Sequence, residues 1–417
     1  MTAKIVSAAL LALPILNTIP GAYAGLLDDS RASAEFRNFY INKDFRQTNA
    51  SQNKAEEWAQ SMILRFNSGF TPGVIGFGVD ALLLTGLKLD SSPDRRGTGL
   101  LPYGQSGRPE DTFSELGITA KIRASKTDFL VGTLQPKLPV INFSDSRMLP
   151  STYSGTMLSS KESDNFTINA GRIEKENLRD STSNDDLLYA KVEAAHLDFA
   201  GGSFNQSPDL SLSYYASQLD NIYRQHFAGL VHTKRLTDAI SLKSDLRYFH
   251  SADYGDKNLA SSSRVDQGKI NNNFFAAFET LSWGAHKFTV GYQNLSGDGD
   301  FPYLGVVPYS NNLSLIGAFT KADTDAMQYR YDYDFAGLGL PGLTLMTRYV
   351  KASHVRTAAV SSGKERESNV DLAYVVQSGP LKNASFTWRY GSFRSGGGLT
   401  NAIDENRLIL GYTLSLW

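Results

Sequence analysis

Apolar and polar residues alternate along much of this chain, and the alternation limits the folds open to it. In ITAKIRASK, apolar residues fill positions 118, 120, 122 and 124, while Lys121 and Arg123 fall between them. Successive residues of a β-strand point to opposite faces, so a strand here has one apolar and one cationic face. The same period recurs in four further runs, 74–84, 286–293, 327–335 and 384–390. A helical period is almost absent, which predicts an all-β fold.

The N-terminus has the anatomy of an export signal. MTAKIVSAALLALPILNTIPGAYA carries a lysine near its start, an apolar segment from Ile5 to Leu16 and a small-x-small end at 22–24. The apolar segment is too short for a stable membrane span. We therefore expect residues 1–24 to be a secretory signal peptide and residues 25–417 to be the exported protein. A buried N-terminal helix is the alternative.

Composition narrows the classes of function. The 417 residues contain 41 Lys and Arg against 42 Asp and Glu, a balance that argues against a nucleic-acid-binding protein. Cysteine is absent, which fits an oxidising compartment and removes thiol catalysis, disulfides and cysteine-ligated metals. After residue 25 no run of 18 apolar residues occurs, so the sequence predicts no transmembrane helix.

Short polar turns and long loops rich in Gly, Asp, Asn and Ser roughly alternate between the predicted strands. The long loops are 90–111, 135–150, 251–272 and 296–312. In an exported chain this meander is typical of a transmembrane antiparallel β-barrel, because a closed sheet leaves no backbone group unpaired in hydrocarbon. We predict about 18 strands, with the apolar face toward lipid and the polar face toward a lumen.

The last predicted strand, RLILGYTLSLW, ends on an aromatic residue in an unexpected phase. Its apolar row consists of Leu408, Leu410, Tyr412, Leu414 and Leu416. Trp417 falls on the opposite face. Alternation leaves two arrangements open, a bulge near the end of the strand or a Trp417 side chain that tucks inward.

Several long segments resemble the OprD family of substrate-specific porins, over nearly the whole exported chain. They are EFRNFYINKDFRQ, EEWAQSMILRFNSGFTPGVIGFGVDALLLTGLKLDSS, GTGLLP, GTLQPKLPV, SRMLP, LDNIYRQ, YDYDFAGLGLPGLTLMTRY, YVVQSGPLKNASF and ENRLIL. The resemblance implies a barrel of eighteen strands in the bacterial outer membrane and an inward-folded third external loop that forms a constriction. It also implies a lumen ladder of Arg and Lys, and passive uptake of small solutes that carry a carboxylate.

Two subfamilies compete within this resemblance. One takes up basic amino acids, and the other takes up aromatic and aliphatic carboxylates without a required amine. GTLQPKLPVINFSDSRMLP resembles the second, especially at Lys137, and Thr387 stands where the basic amino acid channels have an Arg. We expect a carboxylate channel, with a basic amino acid channel as the alternative. A barrel that is not a channel, an adhesin or a hydrolase, is the third possibility.

Cations at lumen-facing positions form the first candidate site. Alternation assigns six of them to the lumen and the resemblance alone supplies two: Lys121, Arg123, Arg330, Arg348, Arg389 and Arg407, then Arg37 and Lys43. Guanidinium groups bind carboxylates bidentately, and several weak stations in a row let a solute bind and leave again. In the alternative, lumen acids such as Asp80, Asp332 and Asp371 pair with these cations and only brace the wall.

The loop 135–150 is the second candidate site. Its three prolines stiffen it and lower the entropy that is lost when it folds inward. A cation beside an anion across a narrow water gap can orient a dipolar solute. We expect Lys137 and Arg147 to contact the solute, with Ser144 and Asp145 as the neighbours that orient them.

The loop that contains GDGDFPYLG supplies two further candidates, Asp300 and Tyr303, expected near the solute. It lacks the glycine and the closing glutamate of an EF-hand, so neither a metal nor another cofactor is expected. No HExxH or GxSxG motif occurs, which argues against an enzyme. The expected partners are outer-membrane lipid, lipopolysaccharide and small carboxylates, with no nucleic acid. The expected assembly is a monomer or a loose homotrimer.

Overall fold

The computed structural model describes residues 24–48, 50–256, 259–260, 264–305 and 314–417, and they form a series of β-strands behind one short helix, α1 (Ala24–Asp28). In chain order the strands are β1 (Arg31–Phe45), β2 (Lys54–Asn67), β3 (Ile75–Asp90), β4 (Thr112–Ala124), β5 (Thr127–Leu134), β6 (Lys137–Leu138), β7 (Ile141–Asn142), β8 (Thr152–Ser163), β9 (Phe166–Asn177), β10 (Asp185–Tyr189), β11 (Val192–Ala194), β12 (Leu197–Ser207), β13 (Leu210–Leu219), β14 (Tyr223–Arg235), β15 (Ile240–Asp253), β16 (Asn271–Trp283), β17 (His286–Asp298), β18 (Asp325–Asp334), β19 (Leu343–Val355), β20 (Gly363–Val375), β21 (Ser385–Gly396) and β22 (Ala402–Ser415). Two 3-10 turns, Val265–Gly268 and Phe335–Leu338, complete the regular structure of these residues. The predicted signal peptide lies outside the described residues except for Ala24.

Eighteen strands close into one antiparallel barrel, which confirms the predicted fold. The main sheet of the described residues has 20 strands, of which β10 and β11 form a hairpin within a loop that joins β9 through two residue pairs of β10. The barrel closes where β1 pairs with β22, with Ser33 opposite Ser415 and Phe45 opposite Ile403. Closure satisfies the backbone groups that hydrocarbon would leave unpaired. No helix in the described part of the chain is long and apolar enough to cross a membrane.

The outer face of the barrel carries the predicted apolar row. Ile118 and Ile122 of β4 are 49% and 38% exposed, and Phe77 of β3, which lies opposite Ile122, is 54% exposed. Lys121 lies on the other face of β4 and is buried. A basic residue on the lipid face near the midplane would cost about 2–4 kcal/mol, which explains the direction of the alternation.

The two ends of the barrel differ in the length of their connections. Two-residue turns join β4 to β5, β8 to β9 and β12 to β13 at the end that also holds both termini. The opposite end carries five long loops, 91–111, 135–151, 178–196, 254–270 and 299–324. In outer-membrane barrels the short turns are periplasmic and the long loops are external. Four of these loops match predicted ones, and 178–196 is additional.

The C-terminal strand ends before Trp417. β22 stops at Ser415 without a register shift against β1, and the Trp417 side chain lies beyond it, 64% exposed. The indole ring lies 6.4 Å from the ring of Phe66, and its Nε1 donates to Ser30 Oγ at 3.0 Å. The Leu416 amide donates to the Ala32 carbonyl of β1 at 2.8 Å, and the Ala32 amide donates to the Trp417 carbonyl at 3.3 Å. Two residues thus face one residue of β1, as in the bulge that alternation left open, and the Trp417 side chain does not tuck inward.

Gly132 of β5 adopts a backbone conformation that other residues rarely adopt. Its φ is +128°, and a Cβ there would lie 2.1 Å from the Ile118 carbonyl oxygen of β4. We expect Gly132→Ala to lower the free energy of unfolding by about 1–3 kcal/mol, the range for strained backbone positions. Urea unfolding, followed by the heat-dependent shift of the barrel band on gels, measures this loss.

The control for Gly132→Ala is Gly396→Ala in β21. A Cβ at Gly396 would meet no atom within 4 Å, so we expect no comparable loss. Equal losses in the two variants would show that the strain at Gly132 is not the cause.

Candidate functional site

Loop 135–151 crosses the lumen between two parts of the wall. Ile141, 1% exposed, packs in an apolar cluster that includes Tyr153 of β8. Met148, fully buried, packs instead in a cluster that includes Ile63 of β2. The burial of these apolar side chains on both sides stabilises the inward position of the loop. The predicted constriction loop is confirmed.

The loop leaves a cavity of about 740 Å³ between itself and strands β18 to β22, which we call the constriction. Arg330 lies opposite Arg348 on neighbouring strands, and Arg389 lies opposite Arg407. The constriction brings together eight of the residues predicted from the sequence, Lys137, Ser144, Asp145, Arg147, Arg330, Arg348, Arg389 and Arg407. Ser314 and Leu315 of the loop 299–324 also line it, which the sequence did not predict.

Arg37 ties the constriction loop to β1. Its Nη1 lies 2.6 Å from Asp145 Oδ1 and donates to the Arg147 carbonyl at 3.2 Å. Its Nε donates to Glu35 Oε1 at 2.5 Å. Two carboxylates therefore neutralise Arg37, and Asp145 holds the loop as well as orienting a cation.

Arg147 is held by carbonyl oxygens. Its Nε donates to the Thr98 carbonyl at 3.1 Å and its Nη1 to the Ser146 carbonyl at 3.0 Å. Lys43 Nζ donates to the same Thr98 carbonyl at 3.4 Å. Burial lowers the pKa of Arg147, and the nearby charge of Arg407 acts in the same direction, yet a guanidinium stays charged at neutral pH. Among the described residues no carboxylate lies within salt-bridge distance of Arg147.

Arg179 joins this cluster from the loop 178–196, and the sequence analysis missed it. Its Nη1 donates to Ser144 Oγ at 3.2 Å. A Cβ at Gly99 would lie 3.4 Å from Arg179 Nη2 and 3.6 Å from Arg147 Nε, so the two guanidinium groups converge on this glycine. Burial lowers the pKa of Arg179. A lone Arg in a polar loop was the only available signal, since nothing in the sequence marks this loop as inward-folded.

Neighbouring acids neutralise the wall arginines to different degrees. Arg330 makes a bidentate pair with Asp332, at 2.7 and 2.6 Å. Arg389 Nε lies 3.3 Å from Asp371 Oδ2 with the side chain 37% exposed. The Arg330 pair has the geometry of a brace, whereas Arg389 makes the looser contact with its acid.

Arg348 and Arg407 both donate to neutral oxygens, and Arg407 also binds a carboxylate. Arg348 Nε donates to Asn369 Oδ1 at 3.0 Å. Arg407 Nε binds Glu405, and its Nη2 donates to the Leu315 carbonyl at 3.0 Å. A neutral acceptor fixes the position of a guanidinium but leaves its charge in place.

Lys137 and Lys43 complete the cations at this level. Lys137 Nζ lies 5.1 Å from the centre of the Phe143 ring, a cation–π contact within the loop. Lys43 Nζ lies 3.8 Å from Glu405 Oε2, which Arg407 also binds. One carboxylate thus serves two cations, and the constriction holds more positive than negative charge.

Lys121 and Arg123 lie apart from the constriction, at the end with the short turns. Lys121 Nζ is 2.6 Å from Asp80 Oδ1, and Arg123 binds Asp128 bidentately at 2.6 and 2.7 Å. Both cations also lie over the Phe70 ring, at 4.9 and 3.9 Å. They line a separate cavity of about 730 Å³. Their carboxylate partners match the bracing alternative.

Asp300 and Tyr303 line an outer cavity of about 940 Å³, above the constriction loop. Asp300 Oδ1 accepts a hydrogen bond from the Ala322 amide at 2.9 Å, and burial raises the pKa of both Asp300 and Tyr303. The neighbouring Asp298 pairs with Lys269 at 2.5 Å. In the described part of the chain, no group of three His, Asp or Glu side chains could hold a metal ion.

The chain is similar to porins along almost its whole length. A profile described as "outer membrane porin, OprD family" matches residues 24–416. The porin-like protein GalP of Pseudomonas putida is 38% identical and covers 94% of this chain and 93% of its own. Two Pseudomonas aeruginosa crystal structures each cover 94% of this chain and 100% of their own: OccK9 (OpdG), 37% identical with a TM-score of 0.89, and OpdK with vanillate, 34% identical with a TM-score of 0.86. This chain therefore belongs to the OprD family of outer membrane porins, which are substrate-specific channels and not enzymes.

Proposed function

We propose that this porin carries small carboxylate-bearing solutes, aromatic or aliphatic acids, across the outer membrane by facilitated diffusion along the cations of the constriction. The observation that carries the proposal is the convergence of Arg147 and Arg179 on one point of the lumen, held by neutral oxygens. Because their charge is not cancelled by a bound carboxylate, it can attract the carboxylate of a solute.

The remaining cations supply weaker stations on the way. Arg389 and Arg407 are neighbours across two strands, and Arg348 lies on the same side of the lumen. Several moderate sites in sequence favour passage, since one strong site would retain the solute. The vanillate complex of OpdK supports the same solute class, because vanillate is an aromatic carboxylate and the two chains are 34% identical.

A channel for basic amino acids is the second candidate. The outer cavity offers it Asp300, Glu176 and Glu365, whose carboxylates could receive an amine. Lys321 Nζ already lies 2.5 Å from Glu365 Oε1, and Arg264 and Lys269 line the same cavity. These cations offset the acids, so the carboxylate channel is the better supported function.

Uptake into liposomes that hold the refolded chain without residues 1–24 tests the proposal. Benzoate, succinate, arginine and a neutral sugar are compared under identical conditions. We expect the two carboxylates to enter fastest. Preference for arginine would favour the second candidate, and exclusion of all four solutes by a folded barrel would contradict a channel of either kind.

A further inference from the structure

A buried glutamate on the barrel wall binds backbone amides of one of the inward loops. Glu367 of β20 is fully buried, and its Oε1 accepts hydrogen bonds from the amides of Leu315 at 2.8 Å and Ile316 at 3.0 Å. Its Oε2 accepts from the Gly317 amide and the Ser314 hydroxyl, both at 2.7 Å. Consecutive amides that converge on one anion form a nest, and here the anion belongs to the wall itself.

The segment that Glu367 binds, residues 314–317, directs a carbonyl oxygen toward one of the lumen arginines. The Leu315 carbonyl accepts from Arg407 Nη2 at 3.0 Å, and Leu315 and Ser314 both line the constriction. With three amides of the segment directed at Glu367, the Leu315 carbonyl is held on the side of β22. Glu367 therefore fixes the position of Arg407 through the loop backbone.

The same arrangement occurs in the other half of the lumen. Glu57 of β2 is fully buried, and it accepts hydrogen bonds from the Thr98 amide at 3.1 Å and from the Thr98 hydroxyl. The Thr98 carbonyl in turn accepts from Arg147 Nε and Lys43 Nζ. Two separate loops thus use a wall glutamate on their amides and present a carbonyl to the cations of the constriction.

Close packing shows that residues 314–317 lie directly against the barrel wall. A Cβ at Gly391 of β21 would lie 3.0 Å from Leu315 Cδ2 and 3.2 Å from Ile316 Cδ1. A Cβ at Gly317 would lie 2.9 Å from Phe393 Cε2. Glycine at these two positions lets the loop and the wall approach each other.

We propose that Glu367 and Glu57 are positioning residues of the channel, which place loop carbonyls so that Arg407, Arg147 and Lys43 are oriented by neutral oxygens. A carboxylate bonded directly to each cation would hold it equally well but would cancel its charge. Arg407 and Lys43 share one such carboxylate, Glu405, and both also donate to loop carbonyls. The inference rests on the carboxylate selectivity proposed above.

Planar-bilayer recordings of Glu367→Gln and Glu365→Gln separate positioning from a simple change of charge. Both substitutions remove one negative charge from buried side chains on the same face of β20, and by charge alone each would raise the preference for anions. Glu365 pairs with Lys321, so it controls for charge. In Glu367→Gln, the NH₂ group replaces one acceptor oxygen and faces donors of the loop, so hydrogen bonds to residues 314–317 are lost. We expect its single-channel conductance to rise about twofold and its anion preference to fall, unlike the control.

Gly391→Val provides a second variant that changes no charge. Its larger side chain pushes Leu315 off the wall, so we expect the same rise in conductance and the same loss of anion preference. Unchanged conductance in folded Glu367→Gln and Gly391→Val, or a rise in anion preference that matches Glu365→Gln, would overturn the positioning role. A wild-type channel without anion preference would refute the proposed function instead, and the conductance would still decide whether the glutamate holds the loop.

Discussion

Replacing Arg147 with glutamine is expected to slow uptake of benzoate about tenfold while changing uptake of a neutral sugar by less than about twofold. Arg147 is oriented by the Thr98 and Ser146 carbonyls, and under the proposed function its charge attracts the carboxylate of the solute. A hydrogen bond to a charged group contributes about 1.5–3 kcal/mol, and about 1.4 kcal/mol corresponds to a factor of ten. Liposome uptake of the two solutes, measured at equal protein load, gives the ratio.

Arg172→Gln is the matched control for this prediction. Arg172 binds Asp198 bidentately at 2.7 and 2.8 Å, and by the alternation of β9 it points away from the lumen. The substitution makes the same change of charge outside the solute path, so uptake of both solutes should stay at the wild-type rate. If Arg147→Gln slowed benzoate and sugar equally, Arg147 would be a brace of the loop and not a contact of the solute.

Shortening the constriction loop is the second change with a large expected effect. Replacing residues 145–150 by two glycines should raise single-channel conductance several-fold and abolish the discrimination between benzoate and arginine, because it removes Arg147 and opens the lumen. The barrel should still close, since the Ser151 amide donates to the Ser144 carbonyl at 2.8 Å and a two-residue turn can join these positions. Bilayer recordings of the variant and wild type measure the conductance.

The heat-resistant band on gels shows whether the shortened variant has folded. Conductance at the wild-type level from a folded variant would mean that the loop does not limit the pore. Retained preference for benzoate in a wider pore would place the selectivity on the wall arginines alone.

The barrel wall could be predicted from the sequence because lipid imposes a simple rule on it. Ile118 and Ile122 face lipid and Lys121 does not, as the period of two requires. The height of a residue along the barrel follows no such rule, since it depends on strand register and turn length. Alternation therefore assigned Lys121 to the lumen side but did not show that it lies at the end opposite the long loops.

The inward loops were harder to predict, and only two were foreseen, loop 135–151 and the loop that contains Asp300 and Tyr303. Loop 135–151 came from the family resemblance, whereas Arg179 and the segment 314–317 have no periodic signal. Much of the site also consists of backbone atoms, such as the Thr98 and Leu315 carbonyls, whose role depends on conformation and not on residue type. Side-chain chemistry could be predicted for Arg147 and Arg407, but their acceptors could not.

The zero-current potential of the wild-type channel across a gradient of sodium benzoate tests carboxylate selectivity most directly. The account predicts that benzoate crosses faster than sodium, so the dilute side becomes negative. A dilute side that becomes positive would mean that the cations of the constriction do not select the solute, and would contradict the account.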